Sequence, residues 1–481
     1  MKKTLFIIVC IALSSLAAWA QDYRQAFVEI QQAFEQRLPA TLGHLQQYLE
    51  DYPYTTYSDE VRLMIGVLKT EKGDYKQASK VLQTVNRKNL SRQTESMWYF
   101  YAGYSYIQQE EYKKALPLFL ELKKHQTLYT PHATYYAGYC YYSQQDFAHA
   151  MAEFLAVERL GGYKQIAPYY IVQIHYAQHQ YEEIYPRAEK LLEDFPHNPH
   201  NDELHRMLGE IYYTDSAYDK SIKHLQAYRS LRLEQQQEPL RNDIYLLGMA
   251  HYKIGQYAGA IDRLKEVKEW KDSISESAYL HLGHSYLRIG DEEKAKLSYA
   301  AAIQLNINSK VREEAMYNYV QITYLQGSAT GESITAFKQF LTEYPNTKYA
   351  NKVYALMADM YLTSKNYQAA YEALSEIPTP DTKMQETQQY LRYQLGMDAF
   401  FQGKMQDASH WMTQVIEQAK QSSEHKTEAY YVRAESAYRL HQHEACLEDI
   451  KQYEAQKNSK NSPNRLNAKY LKGYAQFNQQ Q

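Results

Sequence analysis

The chain has 481 residues, with 53 Lys plus Arg against 56 Asp plus Glu and a formal net charge of −3. No basic block stands out, which excludes the phosphate-gripping surface of a nucleic-acid binder. The 50 tyrosines beside 18 Gly and 13 Pro point to helices packed through aromatic rings rather than to a turn-rich sheet protein.

Residues 1–20 read as an export signal. Lys2 and Lys3 open it, Leu5 to Leu16 form an apolar run, and Ala18-Trp19-Ala20 offers a small-residue cleavage site before Gln21. Cys10 lies in the middle of the run, not at its end, so no lipid-anchoring site is expected. No other segment approaches the ~18 consecutive apolar residues of a membrane span. The expected product is periplasmic or otherwise exported. It loses Lys2 and Lys3, giving 51 − 56 = −5. It keeps Cys140 and Cys446, too far apart along a repeat array to pair.

From residue 58 onward a spacing repeats. A glycine-type slot falls at Gly66, Gly103, Gly138, Gln173, Gly209, Gly248, Gly283, Gln321, Ala358, Gly396, Ala434 and Gly473, a mean step of about 37 residues. Twelve residues after most slots comes a small residue: Ala78, Ala115, Ala150, Ser221, Ala260, Ala295, Ser333, Ala370, Ala408 or Cys446. Three residues after the slot a tyrosine recurs, as at Tyr106, Tyr141, Tyr212 and Tyr286. Turn signals such as Lys72-Gly73-Asp74 separate the two halves. The pattern predicts two antiparallel helices per repeat, approaching closely at the small residues, with each pair stabilised by stacking on its neighbours.

Leu208-Gly209-Glu210-Ile211-Tyr212, Leu282-Gly283-His284-Ser285-Tyr286, Ala115-x3-Phe119 and Ala150-x3-Phe154 carry a resemblance to the tetratricopeptide repeat family, across nearly all of the chain after residue 20. The resemblance implies an all-α, right-handed superhelix of about 12–13 repeats, without enzymatic activity or cofactor, that binds proteins or peptides in a concave groove. Three departures stand out: the family's Trp is missing from its slot, Gln173 and Gln321 replace glycine, and the turn after Gln173 is one residue short.

A longer period lies above the first. Val28-Glu29-Ile30, Val172-Gln173-Ile174 and Val320-Gln321-Ile322 each precede a stretch ending in Tyr52-Pro53, Phe195-Pro196 or Tyr344-Pro345. The array therefore reads as duplicated four-repeat blocks over 58–481, preceded by a degenerate repeat over 21–57 with helices near 22–36 and 38–51. The aromatic-Pro junction resembles repeats of bacterial envelope proteins, which implies partners in envelope assembly or maintenance. By the same register the last repeat is expected to be incomplete. Tyr470, Leu471, Tyr474 and Phe477 are expected to form an uncovered apolar face.

Candidate chemistry is sparse. Glu95-Ser96 resembles the catalytic start of lytic transglycosylases, but it heads an ordinary repeat helix and the downstream motif is missing. The histidine pairs His175/His179, His281/His284 and His441/His443 lack a third ligand, so no metal site is expected. The segment 327–333 has glycines but no lysine for a phosphate. Ser216 and Ser273, in Asp-Ser-apolar triplets, resemble acceptors for O-glycosylation and are expected in turns.

The groove is the functional candidate. The family's lining positions, three before and one and four after the slot, fall on Phe100, Tyr104 and Ile107, on Tyr135, Tyr139 and Tyr142, on Tyr245, Met249 and Tyr252, and on Tyr393, Met397 and Phe400. Such a surface suits apolar peptide segments, which makes the chain a scaffold for protein partners. The alternative is a glycan binder that stacks sugar rings on tyrosine.

Overall fold

A computed structural model describes residues 22–326, 331–418 and 424–479. The signal segment and the expected cut after Ala20 lie outside the described residues. Among the described residues all regular structure is helical, in consecutive packed pairs. The chain divides into two compact units, Met1–Asp243 and Ile244–Gln481, and each is built on the same rule.

The first unit opens with helices 22–35 and Thr41–Asp51. Further pairs follow, such as Arg92–Ile107 with Tyr112–Lys124 and Asn201–Thr214 with Tyr218–Glu234. The second unit repeats this, for example in Ser273–Arg288 with Glu292–Leu305 and in Thr382–Phe401 with Met405–Gln418. Short polar side chains start several of these helices. Ser91, Asp272 and Asp381 each accept a backbone N–H of the first turn.

Each of the ten small residues named above is fully buried. The glycine slot has a direct steric reason. A Cβ added at Gly103 would lie 2.7 Å from Phe119, at Gly209 2.6 Å from Leu225, at Gly283 2.5 Å from Tyr299, and at Gly396 2.7 Å from Met412. In all four the intruding side chain belongs to the paired helix, sixteen residues on, and is itself buried. The first helix supplies a notch and the second supplies the knob that fills it.

Two expected slots are misplaced by one residue. Val172 and Val320 are buried, whereas Gln173 and Gln321 are half-buried and donate to the hydroxyls of Tyr169 and Tyr317 at 2.8 and 2.7 Å. The turns confirm the corrected register at Val172. Seven residues after the slot the backbone turns left-handed, at Gly73 and Gly255 but also at Gln145 and Ser216. Counted from Val172 this turn residue is His179, also seven on, so no residue is missing there. Glycine suits such a φ, and the non-glycine residues adopt it at a cost of about 1 kcal/mol each.

Successive pairs are also clasped by buried acids in the first turn of the first helix. Asp59 accepts from Asn86 N at 3.1 Å and Asn89 Nδ2 at 2.7 Å. Glu276, fully buried, accepts the backbone N–H groups of Ile307 and Asn308, both at 2.8 Å. Each acid ties a helix start to the loop that leads into the next repeat, satisfying backbone donors that burial would otherwise orphan.

Candidate functional site

In the first unit, consecutive first helices bring half-buried rings into one continuous set. Phe100 and Tyr104 stand on Arg92–Ile107, with their rings 6.1 Å apart and stacked. Tyr136, on Thr130–Ser143, lies 6.1 Å from Phe100 and 5.5 Å from Tyr104. On the same helix Tyr135 packs edge-on to Tyr136 at 5.1 Å. Tyr170, on Ala167–Ala177, then gathers Tyr135, Tyr139 and Tyr142 at 6.2, 5.6 and 5.2 Å. Burial raises the phenol pKa at Tyr104, Tyr135, Tyr136, Tyr139, Tyr142 and Tyr170, so these rings are neutral donors at physiological pH.

Tyr136 and Tyr170, which join these rings, were not among the expected lining positions. Both sit two residues before the slot, Gly138 for one and the corrected Val172 for the other. Ile107, expected on this face, is buried in the core.

In the second unit the expected positions divide. Met249 is 4% exposed and Phe400 9%, so both are core; Arg439 covers the Phe400 ring at 4.7 Å. Tyr245 bonds Ser277 Oγ at 2.7 Å, and Tyr252 packs edge-on to His281 at 5.1 Å. Tyr393 lies 4.7 Å from His425, and Met397 is half-buried. These residues form polar and aromatic contacts between neighbouring helices.

The structure separates most of the other candidates. His175 bonds Gln180 and His179 bonds Tyr181, at 2.8 and 2.9 Å, each by its own Nδ1. His281 and His284 do meet, with rings 5.7 Å apart, and burial lowers both to about 4. The rings of His441 and His443 are 6.3 Å apart. Among the described residues no group of three or more His, Cys, Asp or Glu is placed to hold a metal ion. Ser96 is buried and bonds the Arg92 carbonyl at 2.8 Å and His125 Nδ1 at 3.0 Å. Most of 327–333 lies outside the described residues. Ser216 is exposed in a left-handed turn, whereas Ser273 is exposed but opens the helix Ser273–Arg288 instead of lying in a turn.

Cys140 and Cys446 are free and buried, and burial pushes their thiols up to about 12 and about 11. No helix among the described residues is long and apolar enough to cross a membrane. On the last helix, Arg465–Gln479, Tyr470, Tyr474 and Phe477 are exposed while Leu471 is buried.

A family model described as "Tetratricopeptide repeat" matches residues 102–164. None of the curated proteins compared matches the chain. Among solved structures, the TPR2AB domain of yeast Sti1, in a complex with pHSP90, is similar at 15% identity, covering 57% of this chain and 98% of its own, with a TM-score of 0.31. A tetratricopeptide repeat protein from Parabacteroides merdae is similar at 16% identity, covering 62% and 99%, with a TM-score of 0.25. The C-terminal part of a TPR repeat-containing protein from Cytophaga hutchinsonii shares 13% identity, covering 60% and 98%, with a TM-score of 0.30. Residues 102–164 thus match the tetratricopeptide repeat family, and the notch-and-knob pairing seen there at Gly103 and Phe119 recurs in both units.

Proposed function

We propose that this chain is an exported scaffold of the cell envelope that holds a protein partner against the half-buried rings of its first unit. The continuous set from Phe100 through Tyr136 to Tyr170 carries this reading. Rings already packed on one another have lost most of their side-chain freedom, so covering them costs little further entropy. Their hydroxyls give a partner backbone something to bond. Export rests on residues 1–20, with their basic start, apolar run and Ala-Trp-Ala end. No reaction is assigned.

The experiment compares two classes of ligand. The chain from Gln21 onward is immobilised and exposed to envelope extract, while a second sample is sedimented with purified peptidoglycan. Retention of a defined protein that excess soluble chain competes away is expected, without co-sedimentation. Co-sedimentation alone would replace this reading by a glycan-binding one. The envelope location is checked by intact mass of the envelope fraction: the chain should begin at Gln21, and a retained Met1 would refute export.

A further inference from the structure

A cavity of about 480 Å³ in the first unit has none of the ring set in its lining. It is formed where the end of Phe147–Val157, the turn Gly161–Lys164 and the end of Tyr181–Asp194 meet. Pro168, Leu191 and Phe195 give it apolar surface. Around them stand four cations, Arg159, Lys164, Arg187 and Lys190, and two acids, Glu158 and Asp194. Its local charge of +2 contrasts with the whole chain at −3.

The two acids leave much of that positive charge available. Arg187 Nη1 is held by Glu158 at 3.0 Å, which fixes the guanidinium with further donors to spare. Lys190 pairs with Asp194 at 3.1 Å. Arg159 approaches Glu158 only at 4.0 Å and its side chain is 92% exposed. Lys164 is exposed and has no ion pair among the described residues. Neither Phe147–Val157 nor Tyr181–Asp194 carries a basic residue in its last turn, so the helix dipole does not explain the four cations. Nor does it explain Arg159 and Lys164 beside a partly apolar cavity of ligand size.

We propose that this cavity binds an acidic peptide segment, with an apolar side chain against Leu191 and Phe195 and carboxylates on Arg159, Lys164 and Arg187. The proposal deepens the scaffold reading by naming a second site and the charge of the segment it takes. A purely apolar peptide would leave the cations unused, and a simple anion would leave the apolar surface unused.

The test uses the full chain and a fluorescein-labelled peptide, Glu-Glu-Leu-Phe-Asp-Glu, followed by anisotropy. Binding is expected to weaken roughly tenfold between 0.05 and 0.5 M salt. It is also expected to weaken roughly tenfold in the Arg159→Glu, Lys164→Glu double variant. Both side chains are exposed, so the helical circular dichroism should not change. The proposal is overturned by no binding, by equal binding of Gln-Gln-Leu-Phe-Asn-Gln, or by full affinity in the double variant. It is also overturned if polygalacturonate binds with the same charge dependence and the peptide does not. Retention of the envelope partner by this double variant leaves the scaffold reading intact, so the two can fail separately.

Discussion

Gly103→Val should destabilise the first unit by about 2–3 kcal/mol, whereas Gly473→Val should be neutral or slightly stabilising. At Gly103 a Cβ would lie 2.7 Å from Phe119, a ring with no exposure and no room to retreat. At Gly473 nothing lies within 4 Å, so only the better helix propensity of a residue with a side chain remains. Urea unfolding of both variants, with hydrogen exchange to place the loss near Arg92–Lys124, decides the matter. Equal stability of the Gly103 variant and the parent would remove the notch-and-knob explanation of the slot.

Acid should weaken both units well before most carboxylates protonate. In the first unit His205 and His224 touch through Nδ1 at 2.9 Å. Burial lowers both to about 4. In the second unit burial does the same to His281 and His284, even though Glu314 lies 3.6 Å from His284 Nε2. The folded state therefore holds these rings neutral, while the unfolded chain begins to protonate them near pH 6.5. Their contribution is complete above pH 6.5 and is lost as the pH falls towards about 4. For His281 the loss is on the order of 3 kcal/mol. The unfolding free energy of His281→Gln should fall less steeply than the parent's between pH 6.5 and 4.5. Parallel slopes would contradict the assignment.

The sequence made the repeat itself legible because tight helix contact demands small residues at fixed spacing, and Ala115, Ala150 and Ala260 are as buried as that demand requires. The knobs were harder to see. Leu82, Phe119, Leu225, Tyr299 and Met412 share position but not residue type, since any large side chain fills the notch. At Val172 and Val320 the glycine slot holds a valine next to a glutamine, and only burial separates the two. The acids that clasp the loops, Asp59 and Glu276, left no signal, because an acid in a first helical turn is already expected from the helix dipole. For the site, spacing located Phe100, Tyr104, Tyr135, Tyr139 and Tyr142 on first helices. It could not tell those half-buried rings from the core residues Ile107, Met249 and Phe400, because exposure there depends on what the neighbouring repeat supplies.

The account stands most directly on whether the rings of the first unit form a binding surface. The measurement is the affinity of the Tyr104→Ala, Tyr139→Ala double variant for the retained partner, with circular dichroism and thermal unfolding on the same samples. The account predicts at least a hundredfold weaker binding, roughly 3 kcal/mol, with helical content kept and unfolding still cooperative. Unchanged affinity, or binding lost only together with the fold, would contradict it.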